Sequence, residues 1–384
     1  MTTIPFCLPS DISPETFLRD YWQKKPLLIK NGLPALANLF TPDDIVALAC
    51  EDDVSARLIQ ERDDNEQPHW TLKTSPLNKR DFKKLPKHWT VLVQNLEAWS
   101  AELGEFWQAF DFIPKWQQDD IMVSYAPDGG SVGRHYDEYD VFLAQGYGKR
   151  RWQLGKMCAR DTPFVAGEPI RLLDEMGELI FDEVLDAADV LYVPPRLAHY
   201  GVAVGECLTF SFGFRRPNAV QLLDKIADVA TNQPQLFAPF TLPQALQATS
   251  CELSNDSIHA LKQALLDTVN SPAFDGALTQ AISELVSRRQ YEPLAFYEEL
   301  DSELLTELLN DGATLSLNHA SRFVKTAQGW FINGEQVNFD AEGQALLARL
   351  LQGEHISLDD LPSLNTEALV HWVNNQWLAI DEHD

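Results

Sequence analysis

Cysteine is scarce in this 384-residue chain and poorly placed for chemistry. Cys7, Cys50, Cys158, Cys207 and Cys251 are odd in number, far apart and never form a C-x-x-C pair. That pattern argues against a disulfide framework and a thiolate zinc site, and fits reduced thiols in a cytosolic protein. Bases are few as well, with 30 Lys and Arg against 57 Asp and Glu, a formal net charge of −27. A surface of that sign repels phosphate backbones and anionic lipid, so no direct nucleic-acid ligand is expected and a basic protein is a plausible partner. The acidity also secures solubility, which by itself would explain it. No apolar run reaches membrane-spanning length, and Met-Thr-Thr-Ile-Pro-Phe-Cys lacks the basic start and long apolar stretch of a signal peptide. These absences, with no internal repeat or low-complexity tract, predict a cytoplasmic protein without membrane contact.

What is present is enough to fold throughout. With 45% hydrophobic residues and ten tryptophans, a chain of this length predicts two or three globular domains. Ser13-Pro14-Glu15 stands before Phe17, Leu18, Tyr21 and Trp22, and Thr41-Pro42-Asp43-Asp44 before Ile45, Leu48 and Ala49. In each, an N-cap hydroxyl, a proline at the first helical position and acids in the first turn mark a helix start. Residues 26–30, 54–60 and 70–73 read as short strands, and "HWTVLVQNLEAWSAELGEFWQAF", residues 88–110, as a strand running into an amphipathic helix.

From residue 120 to 216 the texture becomes closely spaced strands. "IMVSYAP", "DVFLAQ", "RRWQL", "LIFDEVL", "DVLYVPP", "YGVAVG" and "LTFSFGF" are separated by Gly, Pro and acid-rich turns. Such spacing without long helices between predicts an antiparallel barrel or double-sheet jelly roll, able to enclose a small ligand. After Asn218 the chain turns helical, with apolar residues three and four apart in "AVQLLDKIADVATN" and "DSIHALKQALLDTVNS", and again from 274 to 289. Tyr291 to Pro293 marks a joint. The last ninety or so residues hold a helix at 303–309, the run "RFVKT", an Asn333-Gly334 hairpin signal and helices near 341–351 and 366–377. That order suggests a winged-helix-like module, read as protein-contacting rather than DNA-reading given the acidity.

"GRHYDEYDVF", residues 133–142, carries the chemistry. On a strand, residues two apart share a face, so His135 and Asp137 can aim an imidazole and a carboxylate at one ion. A second histidine would complete the two-histidine, one-carboxylate face that holds Fe(II) and leaves positions open for substrate and dioxygen. His199, after the proline-ended strand "DVLYVPPRLAH", is the natural candidate. Glu138 and Asp140 lie on the opposite parity. They and Asp128 are candidate substrate-side anions at the rim, while Gly129, Gly130 and Gly133 let the chain approach the pocket. The other histidines read as packed or solvated.

The block 120–216, with H-Y-D-x-Y-D-V-F, then Q-G-x-G-K-R-R-W, then D-V-L-Y-V-P-P-x-x-x-H, resembles the JmjC branch of the cupin-fold, Fe(II)- and 2-oxoglutarate-dependent oxygenases. Within it the chain is similar over essentially its whole length to the bacterial ribosomal oxygenases, which hydroxylate an arginine of a large-subunit ribosomal protein. The resemblance implies an α+β fold: a double-stranded β-helix with N-terminal mixed elements, a helical dimerisation segment and a C-terminal winged-helix-like domain. The corresponding divisions are 1–217 (barrel core about 88–216), 218–290 and 291–384. It implies His135, Asp137 and His199 as iron ligands, 2-oxoglutarate and O2 as cosubstrates, a basic ribosomal protein as partner and a homodimer. It further implies Arg150 as the residue that binds the distal carboxylate of 2-oxoglutarate, with Ser124 as a second contact. Local geometry agrees: if Ala144 pairs with Lys149 across a turn at 145–148, Arg150 and Trp152 face inward and Lys149 and Arg151 outward. Thr209 and Ser211 could line the pocket or simply satisfy backbone groups.

Two positions depart from the family pattern. Ala188 stands before Asp189 where a glycine is usual, which puts a glycine-type turn in doubt, and Arg196 replaces a small residue in the loop before His199. The iron site alone would equally serve a histidyl hydroxylase or a methyl-lysine demethylase. A cupin-like scaffold that binds a partner without catalysis is the reading outside enzymes.

Overall fold

Both proline-led signals produce helices in the computed structural model, α1 (Pro14–Asp20) and α2 (Pro42–Leu48). The Ser13 hydroxyl accepts from the Thr16 amide, and Thr41 and Asp44 cap each other reciprocally. Such caps satisfy orphan amides of the first turn and contribute about 1 kcal/mol each. The structure describes residues 4–64, 67–237, 239–240, 253–289, 300–361 and 366–381. Cys251, His383 and the joint expected at Tyr291 to Pro293 lie outside the described residues. The chain divides into two compact units, one reaching to Arg215 and the other beginning at Arg216.

The first unit is organised by a nine-stranded sheet. Its strands are β1 (Leu27–Ile29), β2 (Ala56–Asp64), β3 (Gln67–Thr74), β4 (His88–Val93), β5 (Gln118–Ala126), β6 (Asp140–Met157), β7 (Phe181–Leu185), β8 (Val190–Val193) and β9 (Leu197–Phe214). They run in the order β1-β8-β6-β9-β5-β4-β2-β3, with β7 also on β6, and every pairing is antiparallel. The long helix expected after β4 does not form. Asn95 takes a left-handed φ of 59°, and a 3-10 turn at Leu96–Ala98, the short α3 (Ala101–Gly104) and a 3-10 stretch, Glu105–Phe110, follow instead. Asparagine is among the few residues that adopt this conformation readily, so the break is local.

The seven strand-like runs collapse into five strands. "DVFLAQ" and "RRWQL" fuse into β6, and "YGVAVG" and "LTFSFGF" fuse into β9. The hairpin expected at 145–148 is therefore a correction: Ala144 pairs with Phe210 and Lys149 with Val204, both on β9. The glycine-rich signal is instead an irregular stretch, with register shifts between Gln145 and Lys149 and Gly148 at a φ of 63°. Bulges bend a strand and re-aim its side chains. Here the bend lets β6 pair with β8 in its first half and β7 in its second, the two sides of the barrel.

Alternation along the strands gives the sheet two dry faces. Outside, Phe142, Tyr192, Phe210, Phe212 and Phe214 pack with Phe17, Trp22 and Phe110 from the N-terminal elements. Full burial of each such side chain is worth about 1.5–3 kcal/mol. Inside, Val141, Leu143, Trp152, Leu154, Leu185, Leu191, Val193 and Leu197 form a separate cluster. The polar residues of interest interrupt this inner face.

The second unit carries α4 (Ala219–Ala230), α5 (Asn255–Val269) and α6 (Pro272–Ser287), then α7 (Ser302–Asn310), β10 (Thr314–Leu317), β11 (Phe323–Thr326), β12 (Gly329–Ile332), β13 (Glu335–Val337), α8 (Ala341–Leu350), α9 (Thr366–Asn374) and β14 (Leu378–Asp381). Asn333 and Gly334, at φ 53° and 92°, join β12 to β13 as the sequence predicts. β14 returns to pair with β10, over a core that includes Leu305, Leu315, Trp372 and Trp377.

Candidate metal and cosubstrate site

Pro194 and Pro195 end β8, and Arg196, at a φ of 64°, turns the chain into β9, which delivers His199. The Arg196 amide donates to the Asp137 carbonyl at 2.6 Å. His135 and His199 form an antiparallel bridge, each amide donating to the other's carbonyl at 3.1 and 2.9 Å. His135 Nδ1 lies 3.0 Å from the Gly133 carbonyl, and His199 Nδ1 2.9 Å from that of Leu197. A carbonyl can only accept, so each Nδ1 carries the proton and each Nε2 turns a lone pair to the site. Those nitrogens stand 3.9 and 3.7 Å from Asp137 Oδ2.

Ligand atoms of His135, Asp137 and His199 all lie within 4.8 Å of one another, and no other such group of three converges among the described residues. Burial first, and then neighbouring His135, push His199 down to about 4, so its imidazole is neutral and ready to ligate. Two imidazoles and one carboxylate on one face fit ferrous iron. Gly133 makes the approach possible: at a φ of 82°, an added Cβ would stand 2.1 Å from Leu172.

Arg150 and Trp152 do point inward, and Lys149 and Arg151 outward, although the reason differs from the expected hairpin. The register shifts in β6 reverse parity, so odd residues up to Gln145 share a face with even residues from Arg150 onward. Outside, Lys149 pairs with Asp186 and Arg151 with Asp182. Inside, Arg150 is 2% exposed, and its Nε and Nη2 are buried without a hydrogen-bond partner among the described residues. An unpaired guanidinium there is costly unless an anion joins it.

Ser124, Thr209 and Gln145 oppose one another across β5, β9 and β6 on this same face. Thr209 donates to Gln145 Oε1 at 2.9 Å, and the Ser124 hydroxyl lies 3.4 Å from the Thr209 carbonyl. Ser211, opposite Met122 and Leu143, is half-buried one step nearer the end of β9.

The three candidate anions separate. Glu138 is exposed beside the site, and Asp128 is exposed, with its carboxylate accepting from the Gly205 amide. Asp140 is a correction: it is 1% exposed, and its carboxylate accepts from the Tyr192 hydroxyl at 2.6 Å on the outer face. Its even parity, before the bulge, turns it away from the rim. Ala188 adopts the glycine-type conformation regardless, at a φ of 79°, and its amide donates to Gln145.

Two inner-face residues escaped sequence reasoning. Gln145 is fully buried and spans Thr209 and the Tyr147 carbonyl. Tyr139, in the bend before β6, packs against the inner cluster, and the Asp137 charge, then burial, hold its hydroxyl far above the ordinary range. Nothing local marks either residue.

Residues 105–222 match the JmjC domain family, and residues 264–379 the ROXA-like winged helix. The chain is 46% identical over 405 residues to the probable ribosomal oxygenase of Haemophilus influenzae, covering 99% of each. It is 28% identical to the ribosomal protein uL16 3-hydroxylase of Escherichia coli, covering 84% of each. Among solved structures, Escherichia coli ycfD superposes with a TM-score of 0.82 at 24% identity, over 99% of this chain and 100% of that one. The ribosomal oxygenase YcfD in complex with cobalt and 2-oxoglutarate gives 0.78 at 25% identity, over 96% and 98%. A barrel with an inward His-Asp-His face, a buried unpaired arginine and a winged-helix end thus meets full-length similarity, and the chain belongs to the JmjC-class ribosomal oxygenases.

Proposed function

We propose that this protein is an Fe(II)- and 2-oxoglutarate-dependent hydroxylase of an arginine side chain in the large-subunit ribosomal protein uL16. The observation that carries the reading is Arg150, a buried guanidinium with open donors on the inner face that also bears the His-Asp-His triad. His135, Asp137 and His199 would hold the iron, which would supply oxidation of a C–H bond by O2, coupled to conversion of 2-oxoglutarate to succinate and CO2. Arg150 would bind the distal carboxylate with its open donors, and the Ser124 hydroxyl would add a second contact. Thr209 and Ser211 line the same surface. The apolar inner wall keeps water from the reacting centre. Asp128 and Glu138 meet an incoming cation, in line with the net charge of −27. A ribosomal substrate is in keeping with a cytoplasmic protein.

Ribosomal proteins from a strain lacking the gene, compared with the complemented strain by mass spectrometry, test the reading. A gain of about one oxygen on a uL16 arginine upon complementation supports it, and an unchanged protein set refutes it. Anaerobic Fe(II) with 2-oxoglutarate should give a visible charge-transfer band that His135→Ala abolishes. The helical segment supports a homodimer: Val220 and Leu223 on α4 are 76% and 64% exposed, and Ile258 and Leu265 on α5 are exposed too. Light scattering should report twice the chain mass for the wild type and a monomer for Leu223→Asp.

A further inference from the structure

Arg57 stands on β2 at one end of a cross-strand row that runs through Leu92, Ser124 and Thr209 to Gln145 on β6. Opposed residues in such a row share a face, so Arg57 belongs to the inner surface that bears Ser124 and Thr209. Its Nη2 reaches the Met122 sulfur at 3.6 Å, so the side chain lies across β4 toward β5. Its Nε is buried with no hydrogen-bond partner among the described residues. Around it Ile59, Leu92 and Met122 form an apolar cluster with Leu172.

A thioether is a weak acceptor, and a guanidinium N–H left unmet beside apolar side chains costs stability. A cost without structural return points to a ligand. The cosubstrate does not fill that role on the hydroxylase reading, which gives its distal carboxylate to Arg150 and its other end to the metal face. The remaining ligand is the protein substrate.

We propose that Arg57 is a specificity-determining residue that holds an acceptor oxygen of the substrate chain, a side-chain carboxylate or backbone carbonyl beside the oxidised residue. The proposal rests on the hydroxylase reading above. In a chain this acidic, a basic segment is attracted in many registers. A fixed cation on the inner surface selects one, since it donates to an oxygen and repels a second basic side chain.

The experiment compares iron-loaded wild type, Arg57→Met and Arg57→Lys on total ribosomal protein from the deletion strain, with mass spectrometry locating the oxygenated residue. Kinetics follow on a synthetic peptide spanning that residue, and on versions with each neighbouring acid replaced by its amide. Loss of a charge-assisted hydrogen bond should raise KM for the peptide about ten- to hundredfold in Arg57→Met, with partial recovery in Arg57→Lys. KM for 2-oxoglutarate should not follow, and Arg57→Met should melt close to wild type, because the arginine gives up only a weak contact to the Met122 sulfur. An amide peptide that reproduces the loss identifies a carboxylate partner; amide peptides that all behave normally identify a backbone carbonyl. Unchanged peptide KM in Arg57→Met, or a rise in both KM values together, overturns the role of Arg57 alone. Failure of the wild type to oxygenate any ribosomal protein sinks the hydroxylase reading and this proposal with it.

Discussion

Arg150 carries a full positive charge into the barrel with no protein anion hydrogen-bonded to it. Arg150→Met should therefore leave stability equal or higher while removing the carboxylate contact, a separation that a structural arginine would not show. Arg150→Lys keeps the charge but loses the two-pronged geometry, and should raise KM for 2-oxoglutarate about tenfold or more. Steady-state kinetics and thermal melts read both outcomes. Ala188 tests the backbone instead. Its φ of 79° admits glycine, so Ala188→Gly should stay within about 1 kcal/mol of wild type, where strain relief offsets a lost methyl and added chain freedom. Ala188→Val, β-branched and buried, should lose about 2 kcal/mol or more in denaturant unfolding.

The residues legible in the sequence were those whose signal is local. His135 and Asp137 stand two apart, and His199 follows a proline-ended strand. Gln145 and Arg57 acquire meaning only through partners distant in the chain, Thr209 for the first and Met122 for the second. Asp140 shows the reverse error, since a polar residue beside a site looks functional until the strand's parity decides which face it joins.

At the scale of elements, helix starts were legible because caps and prolines act within one turn. Strand number was not. Glycine marks a reversal of the chain and a bulge in the same letters, and only a partner strand discriminates between them. Gly148 illustrates this: an added Cβ would lie 2.0 Å from the Glu206 carbonyl, on backbone at a φ of 63°. Gly148→Ala should push β6 off β9 where their pairing is most irregular. A fall in stability of about 2 kcal/mol or more is expected, with weaker 2-oxoglutarate binding because Arg150 follows two residues later. Equal melting temperatures would count against the bulge as the element that aims Arg150.

For the molecule as a whole, the net charge of −27 acts at a distance, where site geometry does not. Added salt should lower kcat/KM for a basic protein substrate, chiefly through slower encounter. Turnover of 2-oxoglutarate without that substrate should respond far less, and a stopped-flow salt series separates the two. The order of units, barrel first and winged helix last, was readable from the change of texture after Asn218. The return of β14 to β10 was not, because a terminal strand of four residues carries no pattern of its own.

The backbone bridge between His135 and His199 ties two distant stretches of chain into one part. Reciprocal amide bonds and the two Nδ1 contacts fix the spacing and the tautomer of both rings. A change that breaks the bridge should therefore misplace both ligands at once, where loss of a single ring removes only one.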